Sequence, residues 1–551
     1  MSIEPNPFIK EVSAYQTPGA GIKADLRLDG NEGAGSEEEC RYPDPRPLQD
    51  RLAGMLGVEP RRILVTAGGD EAIDRVCRAY LSPGRELIQP APTFAMIARY
   101  AKLAGARVVS VPWPRGDYPT DEVIARIGPD TRVVCVVSPN NPTGATASAE
   151  DLKKLSAAAP QALLLVDLAY TEFADRDLTS TALSLPNAVV VRSFSKAWGL
   201  AGLRVGYAAG PAEVIDCLRA AGGPYTVARP SLARAAERLS GGVEPFVEET
   251  KKEREKLFTL LRDLGAEPLP SQANFILCRF KSADWVYAGL VALGILVRIF
   301  PDNPGLEGCL RITCPGGTKK FTRLCAALKT VLQPQGLLFD MDGVLADVSQ
   351  SYRRTIIETA ATYGVRLGDE EVQSAKAAGG SNNDWMLTKK LLQQNGVQAD
   401  LAEVTGRFEN IYQGSPKSPG LRRNEKLLTS PGLLEGLSRR VPLGVVTGRP
   451  RADAERFLRE NGIANRLSSL VCLEDAPRKP DPRPVRLALE QMGIERAWMI
   501  GDTPDDLTAA RRAGVLPLGV VAPGDGDPGA LTEAGAARVL ENLDELQELM
   551  P

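Results

Sequence analysis

The chain contains no histidine, so any chemistry it performs must run on lysine, carboxylates, tyrosine, arginine and added groups. Two stretches put such residues in settings suited to covalent chemistry. The first is Arg192-Ser-Phe-Ser-Lys-Ala-Trp-Gly-Leu-Ala-Gly-Leu-Arg-Val-Gly-Tyr207, in which Lys196 follows the apolar run 188–191 and stands among hydroxyl and glycine residues, with Arg204 downstream. A lysine forms a useful imine when its carbonyl partner is held rigidly, and hydroxyls with an arginine can hold a phosphorylated aldehyde. A lone Ser-Lys pair would equally read as a surface loop. The second is Leu337-Leu-Phe-Asp-Met-Asp-Gly-Val-Leu-Ala-Asp347, a strand-like run whose exit carries Asp340 and Asp342. Carboxylates so close require a cation or a shared proton. A calcium loop would need further acidic ligands at close regular spacing, which are missing.

The elements that must position these residues alternate between two periods. Ile63-Leu-Val-Thr-Ala-Gly-Gly-Asp-Glu reads as strand, glycine turn and helix, so the amides of Gly68, Gly69 and Asp70 would open a helix and face an anion; an ordinary strand-to-helix loop reads the same way. Pro90-Ala-Pro-Thr-Phe94 sets an aromatic ring after a strand, to stack on a flat group or to fill core. Arg132-Val-Val-Cys-Val-Val ends in Ser-Pro-Asn-Asn-Pro-Thr-Gly144. Ala162-Leu-Leu-Leu-Val-Asp-Leu-Ala-Tyr170 repeats the pattern, with Asp167 as a site acid or a helix cap. Tyr15-Gln-Thr-Pro-Gly, Leu28-Asp-Gly-Asn-Glu-Gly33 and Arg41-Tyr-Pro-Asp-Pro45 read as extended arms and turns. Helical patterns cover 48–56 and 320–332. The alternation defines an α/β layer whose ligands gather at strand ends.

A new apolar strand begins directly after Gln333-Pro-Gln-Gly336, a very short linker. Downstream, Val441-Pro-Leu-Gly-Val-Val-Thr-Gly448 is a strand ending at Thr447. Arg478-Lys479-Pro480 places a lysine in a loop, and Ala497-Trp-Met-Ile-Gly-Asp-Thr-Pro-Asp-Asp506 ends a strand in acids that include Asp502 and Asp506. Helical patterns at 352–363, 370–378, 385–394 and 401–412 lie between. Gly379-Gly-Ser-Asn-Asn-Asp-Trp385 either faces a site or simply turns one helix into the next.

Composition narrows the function classes. At 551 residues, two to four domains are expected. The lack of histidine removes Ser-His-Asp and Cys-His catalysis, the usual zinc sites and imidazole proton shuttles. With net charge -3 and no basic run, neither nucleic acid nor a membrane surface is an expected partner. No stretch is apolar enough to span a bilayer and no leader pattern opens the chain, so a cytoplasmic protein is expected. The nine cysteines, odd in number and without a Cys-x-x-Cys pair, fit reduced, packed thiols.

Taken in order, the motifs of the first half resemble those of the fold-type I pyridoxal-phosphate aminotransferases, and within them the histidinol-phosphate aminotransferase family, across residues 5–330. The resemblance rests on Tyr15-x-x-Pro-Gly, Leu-Asp-Gly-Asn-Glu, Arg-Tyr-Pro-Asp-Pro, Gly-Gly-Asp-Glu, Pro-Thr-Phe, Pro-Asn-Asn-Pro-Thr-Gly, Val-Asp-Leu-Ala-Tyr and Ser-Phe-Ser-Lys-Ala-Trp-Gly-Leu-Ala-Gly-Leu-Arg. It implies an aminotransferase region 1–333, with a large α/β domain at about 45–240 and a small α+β domain made from the N-terminal arm and about 245–333. It further implies that Lys196 binds pyridoxal 5'-phosphate as an imine and carries the proton between substrate and cofactor. Asp167 would keep the pyridinium nitrogen protonated, Asn141 and Tyr170 would hold the ring hydroxyl, and Phe94 would stack on the ring. Gly69, Asp70, Ser193, Ser195 and Arg204 would surround the phosphate, with Tyr42 reaching over from the partner in a homodimer. Tyr15, Asn274, Arg298 and Arg311 would meet substrate. Arg311 is the first choice for its phosphate or carboxylate, since a planar guanidinium suits both anions. Phe94 and Leu168 stand where Tyr and Glu are commoner in the family, and Gly33 replaces part of an Asn-Pro pair.

The four acidic, hydroxyl and lysine motifs of the second half resemble, in order, those of the haloacid-dehalogenase phosphatases. The implied fold is a Rossmann-like domain over 334–551, with core 334–347 and 430–551 and a helical cap at about 348–429. In the implied chemistry Asp340 attacks phosphorus, Asp342 protonates the leaving alcohol and then activates water, and Thr447 and Lys479 hold the phosphoryl oxygens. Mg2+ would be bound by Asp340, the Asp342 carbonyl and Asp502, with Asp506 supporting the metal or Lys479. A carboxylate can attack a phosphate dianion only if cations neutralise the repulsion.

Together the halves suggest consecutive reactions. Imidazole-acetol phosphate and glutamate would give histidinol phosphate and 2-oxoglutarate, and the second half would release histidinol. A chain needed when histidine is scarce gains from not requiring it. Alternatives remain at this stage: a phosphatase for phosphoglycolate or a sugar phosphate, whose subfamily has a similar helical cap, or a front half acting as a threonine-phosphate decarboxylase or aromatic aminotransferase. A cofactor-binding regulator with degenerate sites is disfavoured, because Lys196, Asp167, Asp340 and Asp342 are all present.

Overall fold

The computed structural model describes residues 3–15, 29–377, 383–415, 418–523 and 527–550. Parts of three sequence motifs, 16–19, 28 and 379–382, together with residue 378 of a helical pattern, lie outside the described residues. The backbone forms two compact units, Met1–Lys281 with Arg298–Phe321, and Ser282–Val297 with Thr322–Pro551.

The first unit is built on a seven-stranded sheet of β1 (Ile63–Thr66), β2 (Glu86–Ala91), β3 (Arg107–Pro112), β4 (Thr131–Val137), β5 (Leu163–Asp167), β6 (Ala188–Ser193) and β7 (Gly206–Ala209). Their spatial order is β1-β7-β6-β5-β4-β2-β3, and only β7 runs against the rest. The near-continuous Val/Leu runs of β4 to β6 follow from burial on both faces. Alternate side chains confirm the strand period of two: Val134, Val136, Leu164, Val166 and Val190 join one core, whereas Val133, Leu163, Leu165, Val189 and Val191 join the other. A second, antiparallel sheet contains β8 (Glu267–Pro268), β9 (Phe275–Arg279), β10 (Arg298–Ile299) and β11 (Cys309–Thr313) in the order β10-β11-β9-β8. The helix Glu244–Asp263 packs on β8 and β9.

The second unit centres on a parallel six-stranded sheet. β12 (Gly336–Phe339) is followed by the short β13 (Ala346–Asp347). The four helices Tyr352–Ala361, Asp369–Ala377, Asp384–Gln394 and Leu401–Gln413 come next, then β14 (Gly414–Ser415), β15 (Ser418–Pro419) and β16 (Lys426–Leu427). β13 and β16 pair antiparallel, closing the helical insert at its base. The sheet continues through β17 (Leu443–Val446), β18 (Leu467–Val471), β19 (Ala497–Gly501), β20 (Leu516–Val520) and β21 (Val539–Leu540), in the order β18-β17-β12-β19-β20-β21.

The linker is no loose tether. The Gln335 N–H donates to the Arg496 carbonyl (2.9 Å), and its side-chain oxygen accepts from the Glu495 and Arg496 amides. Two segments upstream of it belong to the second unit: the helix Ala283–Ala292 and most of Thr318–Leu332. There the fully buried Trp498 donates its indole N–H to the Thr330 carbonyl (2.7 Å), and the Trp285 ring meets it edge-on at 5.0 Å. The chain therefore passes between the units three times. No described helix is long and apolar enough to cross a membrane.

Candidate active sites

In the first unit the residues singled out for chemistry lie at carboxyl ends of parallel strands. Asp167 ends β5, Ser193 ends β6, and Asn141 follows β4. Asp167 is 6% exposed and accepts the Ala169 amide at 3.0 Å. Burial pushes its carboxyl up to about 6, outweighing that hydrogen bond and the pull of Lys196. Lys196 Nζ lies 5.1 Å from the centre of the Tyr170 ring, which meets Phe275 edge-on at 5.3 Å. Phe94 packs against the core beside the helix Gly68–Tyr80.

That helix begins where β1 ends, and close backbone packing fixes its first turn. A Cβ on Gly206 would approach the Gly68 carbonyl carbon to 2.5 Å, and one on Gly68, whose φ is +79°, would meet Arg204 Nη2 at 2.6 Å. Arg204 itself is left-handed (φ 51°, ψ 58°), a costly backbone for a residue with a Cβ. Its guanidinium is held by Asp70 (2.8 Å), the Ala201 carbonyl (3.1 Å) and Ser195 Oγ (3.5 Å). The Ser195 amide in turn donates to Ser193 Oγ at 3.0 Å. Asp70, Ser193, Ser195 and Arg204 thus form one polar group beside the first turn of the helix that contains Gly69.

Arg311, on β11, donates to Asn141 Oδ1 and lies 5.0 Å over the Phe275 ring. Arg298 is its direct cross-strand neighbour on β10. Asn274 contributes a carbonyl to the Cys314 amide (2.9 Å). Tyr15 and Tyr42 both meet Tyr225, the latter in a 4.3 Å stack. Sequence reading passed over Tyr225, which stands in a Gly-Gly-Pro-Tyr turn with no periodic signal. It also passed over the brace under Lys196, in which Glu172 Oε1 accepts from Arg192 Nη2 (2.7 Å) and from the Trp198 indole (3.0 Å).

In the second unit Asp340, Asp342, Thr447, Lys479, Asp502 and Asp506 line or adjoin one end of the parallel sheet. Lys479 Nζ sits between Asp340 Oδ1 (2.6 Å) and Asp506 Oδ1 (2.5 Å) and also donates to the Val446 carbonyl (3.1 Å). Burial alone would favour its neutral form, but the two carboxylates outweigh it and keep the ammonium protonated. Burial pushes Asp340 upward against the pull of Lys479. Carboxylate oxygens of Asp340, Asp502 and Asp506 lie within 4.8 Å of one another, a set of hard donors suited to a small divalent cation. The Asp506 carboxylate also closes a capping box with Thr503 on the helix Pro504–Ala513. Gly343 (φ +74°) leaves room for Asp502, because a Cβ there would collide with that carboxylate.

The Asp342 carboxylate stands outside this trio, held instead by Arg449 Nε at 2.5 Å. Thr447 Oγ1 accepts the Arg449 amide (3.1 Å), which leaves its own O–H to donate. A cavity opens over this centre, lined further by Asp347, Tyr352, Asp384, Trp385, Asp505 and Asp527. Of the stretch 379–385, only its described end reaches the cavity, through Asn383, Asp384 and Trp385. Arg449 was not visible in the sequence, where it reads as the residue after a strand-end glycine.

Residues 22–328 match the family described as aminotransferase class I and II, which is more than half of the chain, and the protein belongs to that family. Residues 337–520 match haloacid dehalogenase-like hydrolase, so the aminotransferase is followed by a hydrolase domain of that kind. Its relatives include histidinol-phosphate aminotransferases. That of Thermoanaerobacter pseudethanolicus is 40% identical over 316 residues, covering 56% of this chain and 89% of that protein. An imidazoleglycerol-phosphate dehydratase of Phytophthora nicotianae is 45% identical over 237 residues, 39% of this chain; the match spans only about half (52%) of that relative's length. Among solved structures, histidinol-phosphate aminotransferase from Sinorhizobium meliloti in complex with pyridoxal-5'-phosphate has 27% identity and a TM-score of 0.49, over 53% of this chain and 83% of that one.

Proposed function

We propose that the chain is a bifunctional enzyme of histidine biosynthesis. Its first part would transfer the amino group of glutamate to imidazole-acetol phosphate, giving histidinol phosphate and 2-oxoglutarate. Its hydrolase part would remove phosphate from a small ester, histidinol phosphate in this reading. The observation that carries the first assignment is the 40% identity to a histidinol-phosphate aminotransferase across 89% of that protein.

The residues present fit pyridoxal 5'-phosphate. The buried Asp167 carboxyl, pushed up to about 6, gains from a cationic partner such as a protonated ring nitrogen. The helix start at Gly68 and Gly69, with Ser193, Ser195 and Arg204, suits a phosphate. Bound there, the cofactor supplies an electron-withdrawing ring that acidifies the substrate Cα–H. Lys196 takes that proton and delivers it onward. Arg311, a guanidinium on the edge of the same group, orients the substrate's anion. Tyr42 would act on the partner subunit of a homodimer.

In the hydrolase part Asp340, Asp502 and Asp506 fit Mg2+, which supplies charge neutralisation for a phosphate dianion. Asp340 attacks phosphorus, Lys479 and Thr447 hold phosphoryl oxygens, and Asp342 moves the proton of the leaving alcohol and then of water. Asp342 would contribute to the metal through its carbonyl. What favours histidinol phosphate over phosphoglycolate is the cavity wall. Beyond the centre it presents Asp347, Asp384, Asp505 and Asp527 against Arg353 and Arg478, with the Tyr352 and Trp385 rings. A carboxylate excess with aromatic rings suits an ester bearing an ammonium group and a flat ring better than one bearing a carboxylate.

The test is to supply purified protein with pyridoxal phosphate, Mg2+, glutamate and imidazole-acetol phosphate, and to follow histidinol phosphate, histidinol and inorganic phosphate separately. Both products of the second step should appear. Histidinol phosphate that accumulates with no phosphate released would overturn the consecutive reading.

A further inference from the structure

Arg449 is among the most buried charged residues of the second unit, at 2% exposure, and its position is fixed from every side. Its amide donates to Thr447 Oγ1 (3.1 Å), and its carbonyl accepts from the Leu473 amide (3.0 Å). The guanidinium lies 4.9 Å from the Tyr352 ring centre and 5.4 Å from that of Phe457. Nε holds Asp342 Oδ1 at 2.5 Å, and Nη1 holds Glu425 Oε2 at 2.9 Å. Glu425 is the last residue before β16, in the segment by which the chain returns from the helical insert. Its other oxygen accepts from Tyr412 Oη (2.8 Å), on the insert's last helix, and from Ser351 Oγ (3.1 Å), at the insert's first helix. Both connections of the insert therefore converge on one carboxylate, and one guanidinium joins that carboxylate to Asp342.

We propose that Arg449 is a positioning residue for phosphate release: it fixes the Asp342 carboxyl through Oδ1, leaving Oδ2 for the reacting atoms, and makes that orientation depend on the seating of the helical insert through Glu425. The inference rests on the phosphatase reading given above. In the first half-reaction the Asp340 oxygen forms a bond to phosphorus as the ester P–O bond breaks, and Asp342 gives its proton to the departing alcohol oxygen. In the second, Asp342 takes a proton from the water that attacks phosphorus, and the Asp340 carboxylate departs. A loosely held Asp342 harms the first half-reaction in proportion to how much the leaving oxygen needs a proton. An alkyl ester needs it; p-nitrophenolate hardly does.

The test compares kcat/KM, which reports steps through alcohol release, for histidinol phosphate and p-nitrophenyl phosphate in the full-length protein with Mg2+. Arg449→Gln should lower the value for histidinol phosphate about 100-fold and that for p-nitrophenyl phosphate less than about fivefold, with transamination unchanged. In an Asp342→Asn background the same substitution should cost the alkyl ester less than about twofold more, because the two residues act as a unit. Glu425→Gln, which keeps the shape, should give the same ester-selective loss in weaker form. Equal losses on both esters, or full additivity with Asp342→Asn, would overturn the proposal while leaving the phosphatase reading intact. Wild-type protein that hydrolyses neither ester would remove both together. If Arg449→Gln unfolds the second unit, the Glu425→Gln comparison decides alone.

Discussion

Lys196 and Asp340 divide the proposed chemistry between two residues that need each other for nothing. Lys196→Ala should abolish transamination and leave phosphate release from histidinol phosphate unchanged, and Asp340→Asn should do the reverse; coupled product assays on each variant check this. Asp167 offers a second, thermodynamic handle. Its folded carboxyl, pushed up to about 6 from an ordinary 3.8, holds its proton after the unfolded chain has lost it. Stability contributed by this group therefore falls as pH rises from about 4 to about 6, and above that the cofactor-free protein carries a buried charge costing up to about 3 kcal/mol. Cofactor-free Asp167→Asn should accordingly unfold at a higher temperature than wild type at pH 8. At pH 4.5 the gain should shrink to about a third of that, while transamination is lost at either pH. Differential scanning calorimetry at the two pH values is the measurement.

The helices and strands that carry these residues rely on buried polar contacts that no periodicity reveals. Glu253, 1% exposed in the helix Glu244–Asp263, accepts the amides of Gly316 and Gly317 at 2.7 Å each, just ahead of the helix Thr318–Leu332 and just beyond the strand bearing Arg311. Glu253→Ala leaves two amides without their partner, and thermal unfolding should show a loss of about 2–4 kcal/mol, with a raised KM for the phosphorylated substrate. In the Lys196 loop, Trp198→Phe removes one hydrogen bond to Glu172 and should cost about 1 kcal/mol and a few-fold in transamination rate. The strands β4, β5 and β6 were legible because sheets covered on both faces demand unbroken apolar runs, and the helices of the insert because their apolar residues recur at helical spacing. Asp167 and Asp340 were legible because a strand end is where a parallel sheet presents ligating groups. Arg449, Glu425, Glu253 and Tyr225 were not, since each takes its meaning from a partner 24 to 183 positions away in the chain, with no local pattern to mark it.

At the scale of the whole molecule, the family match and the compact units divide the chain differently. The aminotransferase match runs to residue 328, yet the helix Ala283–Ala292 and most of Thr318–Leu332 lie in the second unit, where Thr330 and Trp285 cover Trp498. A fragment starting at 334 would uncover that indole and leave its N–H without the Thr330 carbonyl. It should melt well below the second transition of the full chain and expose apolar surface, measured by calorimetry and by dye binding. Restoring residues 318–333 should recover part of the difference. The three passages of the chain between units also bear on ancestry. Two genes joined end to end can come apart again by a single break at the seam. Once one partner has grown to rely on helices encoded inside the other's reading frame, a break leaves each half incomplete, and the merger becomes a one-way step that later generations inherit whole.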